Sequence, residues 1–264
     1  MSTITVREMQ PEDEYFVSTC SHVGESDEID ACGRRRLAWL KERHARGVRA
    51  LVGLAGGEPV GFVYVVPIEL SPWGPLGEDL AVVPCLWVLP DRQKHGAGRA
   101  LVEAAEAEAR QAGFQGLCTV GMTGDFWFMP AAFFRRFGWE VAAERGKRQL
   151  LWKPFDASAA PPRLTPDRHW RFEPVEGKVA VDLFYNTFCQ TSDVEAQRVR
   201  EVAAEFGDRA VLREHPVEDR DALLTCGIER GIFIGGREIG WGYEAPREGV
   251  REAIAKALAE RRIG

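Results

Sequence analysis

The sequence predicts a mixed α/β (α+β) protein of two domains, and three observations lead to that prediction. At 264 residues, the chain is long for one ordinary domain and short for three. A proline-rich segment at residues 155–168 interrupts the regular hydrophobic pattern. On both sides of it, short apolar or β-branched runs alternate with helical patterns. We therefore expect domains at residues 1–154 and 169–264, joined by a semi-rigid linker at residues 155–168.

Composition excludes several classes of protein. Hydrophobic residues make up 45% and charged residues 28% of the chain, which is typical of a folded globular protein. A net charge of −6 disfavours binding of nucleic acid, which needs a basic face. No apolar run approaches the roughly 18 residues of a membrane span, and the first residues lack the pattern of a signal peptide. We therefore expect a cytoplasmic protein that binds neither nucleic acid nor membrane.

The first 154 residues predict the order β-α-α-β-β-β-α-β-α-β-β. Apolar or β-branched runs bounded by glycine and proline indicate strands at residues 4–9, 48–54, 60–68, 80–89, 117–122, 139–143 and 148–153. Apolar residues three and four apart indicate helices at residues 12–21, 27–45, 99–112 and 130–137. The last of these helices is stopped by Gly138.

Residues 88–99, with the sequence VLPDRQKHGAGR, join an expected strand directly to a helix. Two glycines stand at the helix entry, and basic residues precede them. Glycine lets the backbone approach a ligand, and the free N–H groups of a first helical turn attract anions. The glycine spacing is not that of a dinucleotide-binding fold, and no Lys-Ser/Thr pair follows as in a P-loop. The segment is therefore either an anion-binding turn or a plain strand–helix connection.

The pattern V-x-P-x-x-Q-x-x-G-x-G in this segment resembles the acetyl-CoA motif of the GCN5-related N-acetyltransferases (GNAT). The stretch AFFRRFGW at residues 132–139 is similar to a second box of that family. The resemblance implies a mixed-sheet acetyltransferase domain whose loop amides hold acetyl-CoA, with an N–H near Val88 that polarises the thioester carbonyl. The cofactor-binding residues that it implies are Trp87, Val88, Leu89, Gln93, Lys94, His95, Gly96, Ala97, Gly98 and Arg99.

The chain departs from this family at Phe134, where a tyrosine general acid often stands. Phenylalanine has no proton to donate, so another group would have to protonate the leaving thiolate. The candidates are Glu69, Cys118 and Asp125. A small core residue and two solvated loop carboxylates are the alternative interpretations of these three.

The resemblance also implies that the first two helices overlie the acceptor site and that Cys85 lies near the cofactor. Cys20 and Cys85 would then face one pocket with His22 nearby, as a thiol-reactive site or a weak soft-metal site. Two buried cysteines and a surface histidine are the alternative, and the absence of a Cys-x-x-Cys pair argues against structural zinc. Trp73 and Trp127 are candidate aromatic walls for an apolar or cationic acceptor.

After residue 168 the expected order is β-α-β-α-β-β-α, with Cys189 at the first strand–helix turn. This order resembles a thioredoxin or glutaredoxin module. A cysteine at a helix N-terminus is favoured as thiolate, which makes Cys189 a catalytic candidate or a site for a low-molecular-weight thiol. Ser192 stands where such modules carry a second cysteine, and Arg230 stands near the position of their cis-proline. A packing or dimer-contact role is the alternative.

Together the two domains resemble the YoaP-like bacterial proteins. The resemblance implies an acyl-CoA-dependent N-acetyltransferase that acts on a small amine or amino-acid-like molecule, and a homodimer is a further expectation. Two other functions stay open. One is a thiol- or soft-metal-handling protein that uses Cys20, Cys85 and Cys189 on this scaffold, and the other is a CoA-binding sensor without turnover.

Overall fold

The computed structural model describes residues 3–20, 22–124, 128–166, 168–241 and 244–261. The N-terminal elements are β1 Ile4–Glu8, α1 Glu14–Thr19, α2 Asp27–His44, β2 Arg49–Ala55, β3 Glu58–Pro67, β4 Pro75–Leu76, β5 Leu80–Val82, β6 Leu86–Val88, α3 Ala97–Gln111, β7 Gly116–Met122, α4 Ala131–Arg135, β8 Glu140–Arg145 and β9 Arg148–Pro154. The later elements are β10 Arg163–Leu164, β11 Val179–Tyr185, α5 Gln190–Glu205, β12 Ala210–Pro216, α6 Arg220–Cys226, β13 Gly231–Ile234, β14 Arg237–Ile239 and α7 Arg247–Arg261. The prediction of a mixed α/β fold is confirmed.

The N-terminal sheet has the strand order β1-β2-β3-β5-β7-β9-β8, and β6 also pairs with β3. β5 and β7 run parallel, whereas β2 and β3 are antiparallel. Successive side chains of β3 point to opposite faces. Phe62 and Tyr64 pack with the α1–α2 side, and Val63 and Val65 pack with α3. The sheet is therefore buried on both faces.

The strand expected at residues 80–89 is divided into β5 and β6. The Val83 N–H still donates to the Cys118 carbonyl at 2.8 Å, which continues the β5–β7 ladder by one residue. Pro84 follows and has no N–H to donate. β6 then pairs with β3, and within the described residues it has no ladder to β7. A gap therefore opens in the sheet between β6 and β7.

The C-terminal sheet has the order β12-β11-β13-β14, with β11 and β12 parallel and β13 antiparallel to β11. α5 and α7 cover one face, where Val181 packs with Val199 and Ile254. α6 lies on the other face, where Phe184 and Phe233 are buried. The connection order β-α-β-α-β-β-α matches the one expected from the hydrophobic pattern.

Residues 155–168, expected as a linker, also contain secondary structure. β10 pairs antiparallel with β4 of the N-terminal unit. The next residue, Thr165, is buried and its N–H donates to the Gly74 carbonyl at 3.1 Å. A strand of two residues is too short to show alternation of apolar and polar residues, so the sequence did not predict β4 or β10.

Among the described residues, no helix is both long and apolar enough to cross a membrane.

Candidate functional site

A cavity of about 750 Å³ lies between the two units, next to the gap between β6 and β7. This volume is in the range of small-molecule sites. Much of its wall is apolar and aromatic, and it includes Trp73, Trp87, Phe128, Phe188 and Ile228. Both units and residues of the connecting segment contribute to the wall, so the site exists only in the docked two-domain chain.

Three of the predicted cysteines line this cavity, although the sequence placed them in two domains. Cys20 ends α1, Cys85 lies between β5 and β6, and Cys189 is the N-cap residue of α5. Cys20 adopts φ 59°, which is uncommon for a residue other than glycine. The side chains of Cys20 and Cys85 share a hydrogen bond. The fold thus brings together the thiols that the sequence analysis singled out.

The Cys85 thiol is protonated at neutral pH. Its hydrogen bond with Cys20 and its burial raise its pKa well above the ordinary value for cysteine. No described cysteine is in a disulfide. Within the described ranges, no group of three His, Cys, Asp or Glu side chains is arranged to hold a metal ion.

Arg36 is the residue of this cavity that the sequence analysis missed. It lies on α2, lines the cavity and is only 2% exposed. Its guanidinium carbon lies 4.9 Å from the ring centroid of Tyr64 and 5.2 Å from that of Phe188. Arg36 also hydrogen bonds to the Cys20 side chain. Its Nε and Nη1 atoms have no hydrogen-bond partner among the described residues. Leaving a buried donor unsatisfied costs about 1–3 kcal/mol.

A signal in the sequence marks Arg36. The buried face of α2 carries Ile29, Cys32, Trp39 and Leu40. Arg36 lies four residues after Cys32 and three before Trp39, so it falls on that apolar face. A charged residue on an apolar helix face is rarely buried without a partner. Its position on α2 could therefore have identified it as a candidate site residue.

The cavity carries more positive than negative charge. Arg148 pairs with Glu229 across the two units at 2.8 Å, and Arg230 pairs with the buried Glu195 at 3.3 Å. The charged residues among the described lining residues are Arg36, Arg145, Arg148, Arg168, Arg230 and Glu229. Five arginines against one glutamate favour an anionic ligand.

Other candidate residues lie elsewhere. Glu69 is not among the lining residues and pairs with Arg220 at 3.6 Å. Cys118 is buried in the sheet and donates to the Ala81 carbonyl at 3.4 Å; burial raises the pKa of its thiol. His22 hydrogen bonds to Glu25 at 2.8 Å and does not line the cavity.

Two candidates, Asp125 and Trp127, lie outside the described residues. Phe134, which replaces the family's usual tyrosine, is 1% exposed. Its ring packs 5.2 Å from that of Trp139. This aromatic packing explains why an apolar side chain is suited to position 134.

The loop before α3 has the geometry of an anion site. Gly96 is the N-cap residue at φ 94°, a left-handed conformation that glycine adopts readily. No side chain caps the 15-residue helix α3, and its first turn has no acidic residue. Its first N–H groups are therefore directed out of the helix with the positive end of the dipole. Lys94 and Arg99 are exposed beside it.

The edge of β6 faces the gap in the sheet. The Cys85 carbonyl and the Leu89 N–H bond to β3, at 3.1 and 2.9 Å. Because bonding directions alternate in an antiparallel pair, the Val88 N–H points away from β3. The Val88 carbonyl accepts a hydrogen bond from Gln93 Nε2 at 3.2 Å. This hydrogen bond therefore connects the loop before α3 to β6, the strand whose Val88 N–H faces the gap.

One family model matches the N-terminal part of the chain. Residues 10–139 match the model of the acetyltransferase (GNAT) family. No curated protein matches the chain.

Several solved structures are similar to part of this chain. A PaiA N-acetyltransferase from Thermoplasma acidophilum in complex with coenzyme A is 17% identical, with 58% of this chain and 99% of that chain covered and a TM-score of 0.43. A GNAT acetyltransferase from Brucella melitensis in complex with acetyl-CoA is 18% identical, with coverage of 62% and 96% and a TM-score of 0.40. A ribosomal-protein-alanine N-acetyltransferase from Brucella melitensis is 19% identical, with coverage of 56% and 96% and a TM-score of 0.41.

Proposed function

We propose that this chain, whose N-terminal part is a GNAT acetyltransferase domain, transfers an acetyl group from acetyl-CoA to the amine of a small molecule. The observation that carries the proposal is the uncapped start of α3, with Gly96 in its left-handed conformation, next to a gap in the sheet that leads to a cavity. One side of the gap suits the cofactor, and the other suits an acceptor.

The residues present fit acetyl-CoA. The backbone amides of residues 96–99 would hold the pyrophosphate, and Lys94 and Arg99 add positive charge. When bound, the cofactor supplies an acetyl group as a reactive thioester. The Val88 N–H is directed to the gap and would donate to the carbonyl oxygen of that thioester.

The cavity positions the acceptor. Trp73, Trp87 and Phe188 present apolar ring surfaces that exclude water from the amine, which must be neutral to act as a nucleophile. The C-terminal unit contributes Phe188 and residues 189–191 and 227–230 to this wall. Its strand order and β-α-β-α-β-β-α connection support a thioredoxin-like domain used here to build an acceptor site.

Isothermal titration with acetyl-CoA tests the first half of the proposal. We expect saturable binding with a dissociation constant in the micromolar range typical of enzyme ligands. A panel of small amines, followed by detection of the released CoA thiol, tests the second half. Absence of both binding heat and a thermal shift with acetyl-CoA would exclude the acetyltransferase function.

A second function is favoured by one specific observation, the convergence of Cys20, Cys85 and Cys189 in the cavity. Under this alternative, the thiols capture a thiol compound or a soft metal ion, and Cys189 stands at the N-terminus of α5. The cofactor loop would then serve binding alone.

Replacement of these three cysteines by serine separates the two functions. Acetyl transfer should survive in the triple variant if the chain is an acetyltransferase whose thiols only line the cavity. Loss of all transfer with acetyl-CoA binding intact would instead show that the thiols take part in the reaction. Cys32→Ala is the matched control, because Cys32 is buried against Val194, outside the cavity.

A further inference from the structure

We propose that Arg36 binds an oxyanion of the acceptor, so that the substrate is a small amine that also carries a carboxylate, phosphonate or sulfonate group. This inference rests on the proposed acetyltransferase function and names the substrate class of the same cavity. Arg36 is a buried cation, and no described carboxylate balances its charge.

The neighbours that interact with Arg36 in the described structure are Tyr64, Cys20 and Cys85, and none of them is a carboxylate. Burial raises the pKa of the Tyr64 phenol well above its ordinary value, and the Cys85 thiol is protonated as described above. Both neighbours are therefore neutral at physiological pH. Among the described residues, no salt bridge forms with Arg36. Glu229 is the one described carboxylate on the cavity wall, and it is held by Arg148 at 2.8 Å and by the Gly74 N–H at 2.9 Å.

Two hydrogen-bond donors of the guanidinium are left without partners among the described residues. The rings of Tyr64 and Phe188 lie within cation–π distance. The Tyr64 hydroxyl donates to the Val17 carbonyl at 2.8 Å. The guanidinium donors Nε and Nη1 are both buried and without a partner in the described structure. A charged guanidinium forms strong hydrogen bonds with the oxygens of a carboxylate or a related oxyanion.

A second unsatisfied atom on the same wall suits the rest of such a ligand. Gln190 lines the cavity and is 3% exposed. Its Nε2 donates to the Ile29 carbonyl at 3.2 Å, whereas its Oε1 has no partner among the described residues. A buried carbonyl oxygen accepts an N–H or O–H. Two residues of the cavity wall therefore carry unsatisfied polar atoms, which suits a ligand that has both an oxyanion and a polar hydrogen.

The first experiment measures acceptor preference in the wild-type protein. The panel consists of apolar α-amino acids with their α-amides, and of β-alanine, taurine and 2-aminoethylphosphonate with β-alaninamide. We expect CoA release with the anionic amines and little with their neutral amides, and the three short acids identify the preferred oxyanion. Equal turnover of acids and amides would overturn the inference while leaving the acetyltransferase function intact.

The second experiment compares Arg36→Met with a matched control, Arg43→Met. Arg43 is also buried on α2 and stacks on the Trp39 ring at 4.5 Å, but it does not line the cavity. For the best anionic acceptor, we expect Arg36→Met to raise KM roughly thirtyfold or more, since loss of a buried charge partner is costly. The acetyl-CoA dissociation constant and the KM of Arg43→Met should stay close to the wild-type values. An unchanged KM in Arg36→Met would contradict the role of Arg36.

A third measurement does not depend on turnover or on the folding of the variant. Thermal shifts of the wild-type protein are recorded with acetate, phosphate and sulfate while CoA is saturating, so that the start of α3 is already filled. We expect at least one anion to give a saturable stabilisation, with acetamide inactive as the neutral control. If none of the anions stabilises the protein more than acetamide does, the inference is overturned even if CoA binds.

Discussion

At the residue scale, the conformation of Gly96 links the sequence to the chemistry. Its φ of 94° turns the chain from the strand into α3 and leaves the first N–H groups of the helix directed outward. A Cβ at this position would meet no atom within 4 Å, so any penalty for a larger residue comes from the backbone conformation. A substitution at position 96 therefore tests the backbone conformation without a steric clash of the new side chain.

Gly96→Ala should weaken acetyl-CoA binding roughly fivefold or more, because about 1 kcal/mol of left-handed strain favours a rearranged turn. Gly113 is the matched control, since it follows α3 at φ 87° and also has no atom near its Cβ position. Gly113→Ala should lose similar stability without losing affinity. Isothermal titration of both variants checks this, and equal affinities for Gly96→Ala and wild type would contradict the loop assignment.

The cysteines should differ in reactivity at pH about 8. Burial raises the pKa of the Cys32 thiol to about 12, and Cys118 is fully buried. Cys20 and Cys189 are partly exposed to the cavity. Mass spectrometry after brief iodoacetamide treatment should find Cys20 and Cys189 modified and Cys32 and Cys118 intact, with all labelled in denaturant. Rapid labelling of Cys32 in the native protein would contradict this burial.

At the element scale, α2 and α5 hold the two units together. Glu28 at the start of α2 pairs with Arg198 of α5 at 2.9 Å and with Arg247 of α7 at 2.6 Å. Arg35 of α2 pairs with the buried Asp193 of α5 at 2.8 Å. Burial raises the pKa of Glu28, but the nearby Arg198 and Arg247 outweigh this effect, so that its pKa is lowered overall. The docking of these helices is thus partly electrostatic, which composition alone does not reveal.

Arg198→Ala should destabilise the protein by about 2 kcal/mol, since it removes charged hydrogen bonds from a largely buried Glu28. Arg200→Ala is the control, because Arg200 pairs with Glu214 inside the C-terminal unit and is more exposed. The Glu28 contribution is present above its unfolded pKa and disappears as pH falls through its lowered folded pKa. Thermal unfolding across the acid range should therefore show that the stability difference between Arg198→Ala and the wild type becomes smaller in strong acid. A stability difference that does not change with pH would contradict the role of the Glu28–Arg198 pair.

At the scale of the whole molecule, Phe188 joins the two units into one core. It precedes α5 but packs with Trp39 and Tyr64 of the N-terminal unit, with ring centroids 5.0 and 5.1 Å away. Its side chain is 1% exposed. The same ring contacts Arg36 and lines the cavity. Stability of the docked state and formation of the acceptor wall therefore depend on the same residue.

Phe188→Ala should cost about 3–5 kcal/mol of unfolding free energy, as expected for a large buried aromatic side chain. Leu224→Ala is the control, because Leu224 is 39% exposed and its loss should change stability by no more than about 0.5 kcal/mol. Urea unfolding followed by tryptophan fluorescence measures both. A change in Phe188→Ala as small as that of the control would show that the interdomain core is not what holds the units together.

The sequence predicted much of the fold because hydrophobic periodicity and turn residues are local signals. The helix predicted at residues 27–45 is α2, which ends one residue earlier, and the helix entry at Gly96 was marked by glycine spacing. The break between β5 and β6 was missed, since the strand partner changes there while the apolar pattern continues. β10 was missed because its pairing with β4 depends on contacts between residues far apart in the chain.

The sequence by itself determined the mixed α/β class, the glycine turn at the start of α3 and the cysteines worth examining. Only the tertiary structure decided that Cys189 joins Cys20 and Cys85 in one cavity, and that Arg36 lies buried there with unsatisfied donors. The physical reason is that periodicity and turn chemistry act over a few neighbouring residues. Burial of a charge and the meeting of thiols depend on how two separately patterned units dock.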